Sequence, residues 1–308
     1  MPYVPVPTVS RAEFAESAAT RWRQIAEARP DMEPALALQR ELLARVMDAA
    51  AILESGRLPR LSLPPKYLAT KLARGVPVLA GEPIPVPAPV LGPVAVQLAD
   101  ALSRGGAGEA ADHIRDTLES GRIEAASLLT ASLHRDQGAL RAGAAHRGLS
   151  PDLLWLVAEL AVSPFAHALQ RLLLGQAMAP ELRTALDAWN HGYCPACGSW
   201  PAVAEVVGGH RMLRCSFCAA AWELPTYACI YCGESGDEFV TAAPNEERKD
   251  RRVEVCGHCS GYLKTVDLPA LSPFALLSIS DIETTDLDVA AMEHGYSRPA
   301  LKEFTRKT

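Results

Sequence analysis

Cysteine is missing from the first 193 residues of this 308-residue chain, so no thiolate-bound metal can be built from that part. Basic residues are in deficit as well: the net charge is -6, which argues against a nucleic-acid polyanion as partner. Long apolar runs are scarce. The most apolar stretch, 153–177, is cut by Glu159, Pro164 and Arg171 and falls short of a membrane span. The opening MPYVPVPTVSRAEF has neither the basic n-region nor the apolar h-region of a secretory signal, so a cytoplasmic location is expected. There is no G-x-S-x-G, no phosphate-binding P-loop and no H-E-x-x-H. The glycine-rich RGGAGEAAD at 104–112 follows no strand and reads as a loop, and no internal repeat is found. What remains, 49% hydrophobic and 21% charged, is the balance of a globular chain long enough for two domains or more.

Helical signals dominate the cysteine-free part. Ser10 and Glu13 form a capping box, followed by Phe14, Ala18, Trp22 and Ile25 at helical spacing. A second helix is expected from near Asp31, with Pro34 in its first turn, burying Leu38, Leu42, Val46 and Leu53 and stopping at Gly56. Nine prolines between 58 and 93 predict an extended segment wrapped over the helices, anchored by Leu79, Ile84, Val86 and Val90. Helices resume from about 94 to 190, with Ser150 as an N-cap, Pro151 at the first helical position, and Pro164 and Pro180 as further boundaries. Residues 1–190 thus read as one all-helical domain.

Near residue 191 the composition changes. AVAEVV (202–207), Gly208-Gly209 and RMLRC (211–215) make a hairpin signal, and EFVTAA (238–243) with RRVEVC (251–256) repeats it around a longer loop. All eight cysteines lie here, in four C-x2-C pairs: Cys194/Cys197, Cys215/Cys218, Cys229/Cys232 and Cys256/Cys259. In a cytoplasmic chain such pairs are metal ligands or redox thiols rather than structural disulfides. Two C-x2-C turns supply the four soft ligands of one tetrahedral ion, so eight thiols make two sites. Gly198 and Gly233 follow the first and third pairs, where a backbone of positive φ is easily taken up. The hairpins join pair one to pair two and pair three to pair four, although ten residues between pairs two and three also permit an interleaved arrangement. Zinc and iron both accept four thiolates, and spacing does not separate them. Closed tetrathiolate sites leave no open position for a substrate, which points to a binding protein rather than an enzyme.

The expected architecture is therefore α+β: a helical domain at 1–190, two small rubredoxin-like or zinc-ribbon β modules at 191–226 and 227–271, and a tail at 272–308 with a helix from Thr285 to about His294. Trp200 and Trp222 are expected to cover the first ribbon. His191, His210 and His258 lie near the cysteines, but the thiols already fill two tetrahedra, so roles beside the ligands are expected. His113, His134, His146 and His167 sit in helical stretches and are expected to carry no chemistry. The charge run NEERKDRR at 245–252 reads as a solvated loop or a dock for an acidic partner.

The C-terminal third resembles the formate dehydrogenase accessory protein family, FdhE-type. The resemblance rests on CPACGSWP (194–201), RMLRCSFC (211–218) with Trp222, CIYCG (229–233), VEVCGHCSGYLK (253–264) and LDVAAMEHGYSR (287–298). Two departures stand out. PTYAC precedes the third pair without the family's arginine, and Ser280-Asp281-Ile282 stands where the family favours paired aspartates. The resemblance implies a cytoplasmic factor that binds the catalytic subunit of a respiratory, molybdenum-dependent formate dehydrogenase and supports its maturation. It also implies iron at the rubredoxin-like thiolates, with zinc as the alternative metal. Two rival functions fit the ribbons: a zinc-ribbon protein that binds nucleic acid, and a thiol–disulfide redox chaperone.

Overall fold

The structure, a computed structural model, describes residues 3–7, 9–56, 58–59, 61, 63–175, 179–243 and 249–302. Eleven α-helices and seven strands occur among the described residues. The chain divides into two compact units that are not contiguous in sequence: one takes 19–62 and 81–172, and the other takes 1–18, 63–80 and 173–304.

The first of these units is helical and takes the second part of helix α1 (Arg11–Ala28), whose residues up to 18 are counted with the other unit. The helix begins at the expected box: the Ser10 N–H donates to Glu13 Oε2 at 2.8 Å and the Glu13 N–H donates to Ser10 Oγ at 3.2 Å. A 3-10 turn at Pro30–Met32 leads into α2 (Glu33–Glu54). Helix α4 (Ala88–Leu102) packs on α2, on α5 (Gly108–Glu119) and on α6 (Ala125–Leu133), with Leu91, Ala95, Leu98 and Ala99 buried at its core face. Helix α7 (Gln137–His146) is capped by Asp136, whose carboxylate accepts from the Ala139 N–H at 2.9 Å. Helix α8 (Pro151–Leu174) has the length and apolar composition of a membrane-crossing helix, but 67% of its most apolar stretch is buried inside the molecule, as in a core helix.

Three readings of the helical part are corrected here. Pro164 does not end a helix; it lies inside α8, and the Leu160 carbonyl that its missing N–H leaves free accepts the Ser163 hydroxyl at 3.1 Å. The proline-rich stretch is not wholly extended. It contains α3 (Pro65–Ala73), which uses its prolines at the helix start, and it supplies the first turns of α4 with Pro93 inside. The glycine-rich 104–112 is no loop: it forms a π-turn at Ser103–Ala107 and then opens α5, with Gly106 at φ 114° marking the kink.

The second unit is built on one mixed sheet of order β1-β4-β3-β2-β7-β6-β5. Strands β2 (Pro201–Val207) and β3 (His210–Cys215) form the first expected hairpin, turning on Gly208 and Gly209, both at positive φ. Strands β5 (Phe239–Ala242) and β6 (Arg251–Cys256) form the second, and β7 (Gly261–Asp267) continues it. The two ribbons are joined by a parallel pairing of β2 with β7, Val203 to Val206 against Lys264 to Asp267. Strand β4 (Ala221–Glu223) pairs with β1 (Tyr3–Val4), a strand that sequence periodicity does not reveal. Helices α10 (Leu276–Glu283) and α11 (Thr285–Glu293) lie on the sheet: Leu277 packs with Val203 and Val266, and Ala291 with Val253, Val255 and Tyr262. Helix α3 packs on α9 (Pro180–Asp187), so this unit reaches well before residue 191.

Candidate metal centres

Each four-cysteine group joins a knuckle in a loop to a knuckle at the end of a strand. Cys194 and Cys197 sit in the turn before β2, while Cys215 ends β3 and Cys218 follows it. Cys229 and Cys232 sit between β4 and β5, while Cys256 ends β6 and Cys259 turns into β7. The tight turns are closed by backbone bonds: Gly198 N–H to Cys194 O and Gly233 N–H to Cys229 O, both 2.9 Å. Gly198 and Gly233 adopt φ 85° and 84°, the left-handed conformation their place in the knuckle requires.

In each group the four sulfurs lie within 4.8 Å of one another. Cys194 to Cys218 is 3.6 Å and Cys197 to Cys215 is 3.4 Å; Cys229 to Cys259 and Cys232 to Cys256 are both 3.6 Å. Four sulfurs about 2.3 Å from one ion stand about 3.8 Å apart, so both groups fit a tetrahedral thiophilic cation. Backbone amides also aim at the sulfurs. The Ala196 N–H donates to Cys194 Sγ, and those of Phe217 and Cys218 donate to Cys215 Sγ, each at 3.4 Å.

Burial and hydrogen bonding act differently on the individual thiols. Burial pushes the Cys194 and Cys218 thiols well above the ordinary value, and burial raises Cys229 too. At Cys256 burial also works upward, but the Cys259 N–H and the neighbouring thiols bring the net value below the ordinary one. Thiols buried like Cys194 and Cys218 do not ionise without a cation to offset the lost hydration, and a bound divalent ion supplies that charge.

The expected histidines stand outside both groups. His191 stacks on Tyr193 at 4.9 Å, and burial, then Lys302, lowers its pKa. His210 meets Glu223 at 3.1 Å, and His258 lies 4.0 Å from Glu238. Trp222 is fully buried and donates its indole N–H to the His191 carbonyl at 3.2 Å. Trp200 does more than cover the first ribbon: its ring lies 5.9 Å from Tyr193 beside the first group and 5.0 Å from Tyr231 inside the third knuckle. Residues 245–248 of the charge run lie outside the described residues; of the rest, Arg252 pairs with Asp267, and Arg251 donates to the Glu283 carbonyl at 2.8 Å.

Three features of the site lie beyond the reach of cysteine spacing. Gly192 stands so close to the third knuckle that a Cβ there would come within 1.9 Å of the Ile230 carbonyl oxygen. The tail runs along both groups: the Ser297 N–H donates to Ser260 O at 2.8 Å, the Trp200 indole donates to Ala300 O at 2.9 Å, and the Lys302 ammonium lies 4.4 Å from the Tyr193 ring centre. Beneath the tail, fully buried Lys264 joins Asp281 at 2.7 Å and Asp288 at 2.6 Å, and Arg298 meets the same carboxylates at 3.3 and 2.9 Å. The spaced glycine before Tyr193 and the GYSR string were visible signals, but nothing in them named the partners.

Fold and site together define a class: a helical protein whose sheet carries twin four-cysteine knuckle sites, each able to hold one metal ion. No known family model matches the chain. It is 28% identical over 157 residues to a protein described as an FdhE homologue from Aquifex aeolicus, covering 47% of this chain and 55% of that relative. A homologue of the same description from Haemophilus influenzae is 34% identical over 122 residues, covering 38% of this chain and 40% of the relative. These matches span about half or less of the curated relatives' length. The crystal structure of the FdhE protein from Pseudomonas aeruginosa superposes with a TM-score of 0.61 at 26% identity, covering 97% of each chain. The chain is thus similar in sequence and in fold to FdhE-type proteins.

Proposed function

We propose that this protein is a cytoplasmic accessory factor that binds the catalytic subunit of a molybdenum-dependent formate dehydrogenase and supports its assembly or activation, without turnover of its own. The observation that carries the reading is the pair of four-sulfur groups set in one continuous sheet, in a chain similar over 97% of its length to the crystallised FdhE protein. Cys194, Cys197, Cys215 and Cys218 would hold one ion, and Cys229, Cys232, Cys256 and Cys259 the other. The residues accept iron or zinc; we assign iron, which would supply one-electron chemistry at all-thiolate centres. This chain's own part is to bind and orient: the sheet, held by the centres, presents a fixed surface to an incompletely assembled enzyme, and the acidic net charge of -6 disfavours nucleic acid as an alternative partner.

The test is purification without oxygen, with metal analysis and visible absorption, followed by capture of the catalytic subunit on the immobilised protein. Two irons per chain, a ferric-thiolate colour on mild oxidation, and capture that fails for Cys194→Ser are expected. Metal-free protein, or full formate dehydrogenase activity in cells whose only copy is the Cys194→Ser chain, would sink the reading.

A further inference from the structure

The two sulfur groups are alike in geometry and unlike in cover. In the first, Cys194, Cys215 and Cys218 are 0% exposed and Cys197 is 3% exposed, so every edge of the tetrahedron is closed by protein. In the second, Cys229 and Cys256 are buried, whereas Cys232 and Cys259 are exposed. These two come from different knuckles, so together they form one solvent-facing edge of the tetrahedron. Among the described residues, little protein stands over that edge, the Tyr231 ring packing beside Cys259 at Gly261. A Cβ built on Gly233, next to Cys232, meets nothing within 4 Å, and one on Gly257 meets only Glu238 at 3.7 Å and beyond. The flanking Glu238 and His258 are themselves largely exposed.

Resting on the metal-centre part of the reading above, we infer that the second centre is an exchange site, which takes up and gives up a thiophilic divalent cation through the Cys232–Cys259 edge, while the first centre is a closed structural site. Tetrathiolate ions change hands by associative substitution: an incoming donor bonds to the ion as one cysteine sulfur leaves. The leaving thiolate takes a proton from water, and no electrons are transferred. That route needs an approach path to the ion, and among the described residues the second centre has one while the first is covered. At the first, release requires local unfolding of the buried knuckles, which is slower.

The test uses the full chain loaded with zinc and challenged with a chromophoric chelator, with N-ethylmaleimide added at intervals and the labelled cysteines mapped by mass spectrometry. Two phases of equal amplitude are expected, the fast one an order of magnitude or more ahead of the slow one. Label is expected on Cys229, Cys232, Cys256 and Cys259 during the fast phase and on the first group only in the slow one. Cys232→Ser should lose the fast-phase zinc and keep the slow-phase zinc with an unchanged circular dichroism spectrum. A single phase, or label reaching both groups together, overturns the inference alone. A chain that binds neither zinc nor iron overturns it together with the metal-centre reading.

Discussion

Ala219 and Ser260 hold φ of 55° and 54° directly after the second and fourth knuckles, the turn that Gly198 and Gly233 make after the first and third. An L-residue in that conformation sets Cβ against its own backbone, so these two positions are held by their surroundings. The consequence can be measured at Gly233, where an added Cβ meets nothing within 4 Å and only the backbone term remains. Gly233→Ala is expected to cost about 1–2 kcal/mol in denaturant unfolding of the zinc-loaded chain, with all ligands kept. A second residue-scale test concerns Glu205 and Arg214, an ion pair with both side chains 0% exposed. Arg214→Met strands a buried carboxylate and should destabilise by about 3–5 kcal/mol, while adding Glu205→Leu should recover most of that loss in a double-mutant cycle. A third concerns pH. Burial raises the Asp281 pKa, but Lys264 and Arg298 outweigh it, so the carboxyl lies below its ordinary value. Its stabilising share is therefore complete above the ordinary carboxylate range and lost as pH falls through the lower native value. The stability gap between the parent and Asp281→Asn should be full at neutral pH and close below about pH 4, taken as a difference so that acid loss of metal cancels.

At the scale of elements, the sheet is continuous because its two ribbons are pinned at their knuckles as well as along β2 and β7. Gly192 is the closest point of that pinning. Gly192→Ala would drive a Cβ into the Ile230 backbone, and a backbone atom cannot rotate away as a side chain can. The expected outcome is loss of zinc from the second centre, read by metal analysis, in a chain whose eight cysteines are untouched. In α8, Ser163 takes the place of the missing Pro164 donor. Ser163→Ala should leave the Leu160 carbonyl without that hydrogen bond and lower stability by about 1 kcal/mol. The capping box of α1 and the hairpin turn at Gly208-Gly209 were legible in advance because each depends on residues within a few positions. Pro164 and the 104–112 turn differ from the sequence expectation for the complementary reason. A proline breaks an isolated helix, but a helix packed on most sides tolerates the lost bond when a hydroxyl replaces the donor.

For the whole molecule, the two compact units make different demands on metal. The unit of 19–62 and 81–172 is held by aliphatic packing such as Leu91, Leu98, Ile114, Leu129 and Val162, with no cysteine in it. The other has its strand ends tied into the sulfur groups. Chelation under mild denaturant should therefore release hydrogen-exchange protection in the sheet first and leave the helices of the first unit protected. Equal loss of protection in both units would show that the centres support the molecule as a whole.

The sequence by itself determined the local and countable features: eight thiols in four C-x2-C pairs, enough for two tetrahedral sites, the α+β class, and the helix that starts at Ser10. Those follow from nearest-neighbour sterics, hydrogen bonding within a turn, and the valence of a thiolate. Only the tertiary structure decided that the ribbons share one sheet, that Tyr3 and Val4 extend it, that residues 63–80 belong with the cysteines, and that one centre is sealed while the other faces water. Each of those depends on which distant surfaces exclude solvent from one another, and the spacing of residues along a chain does not record that.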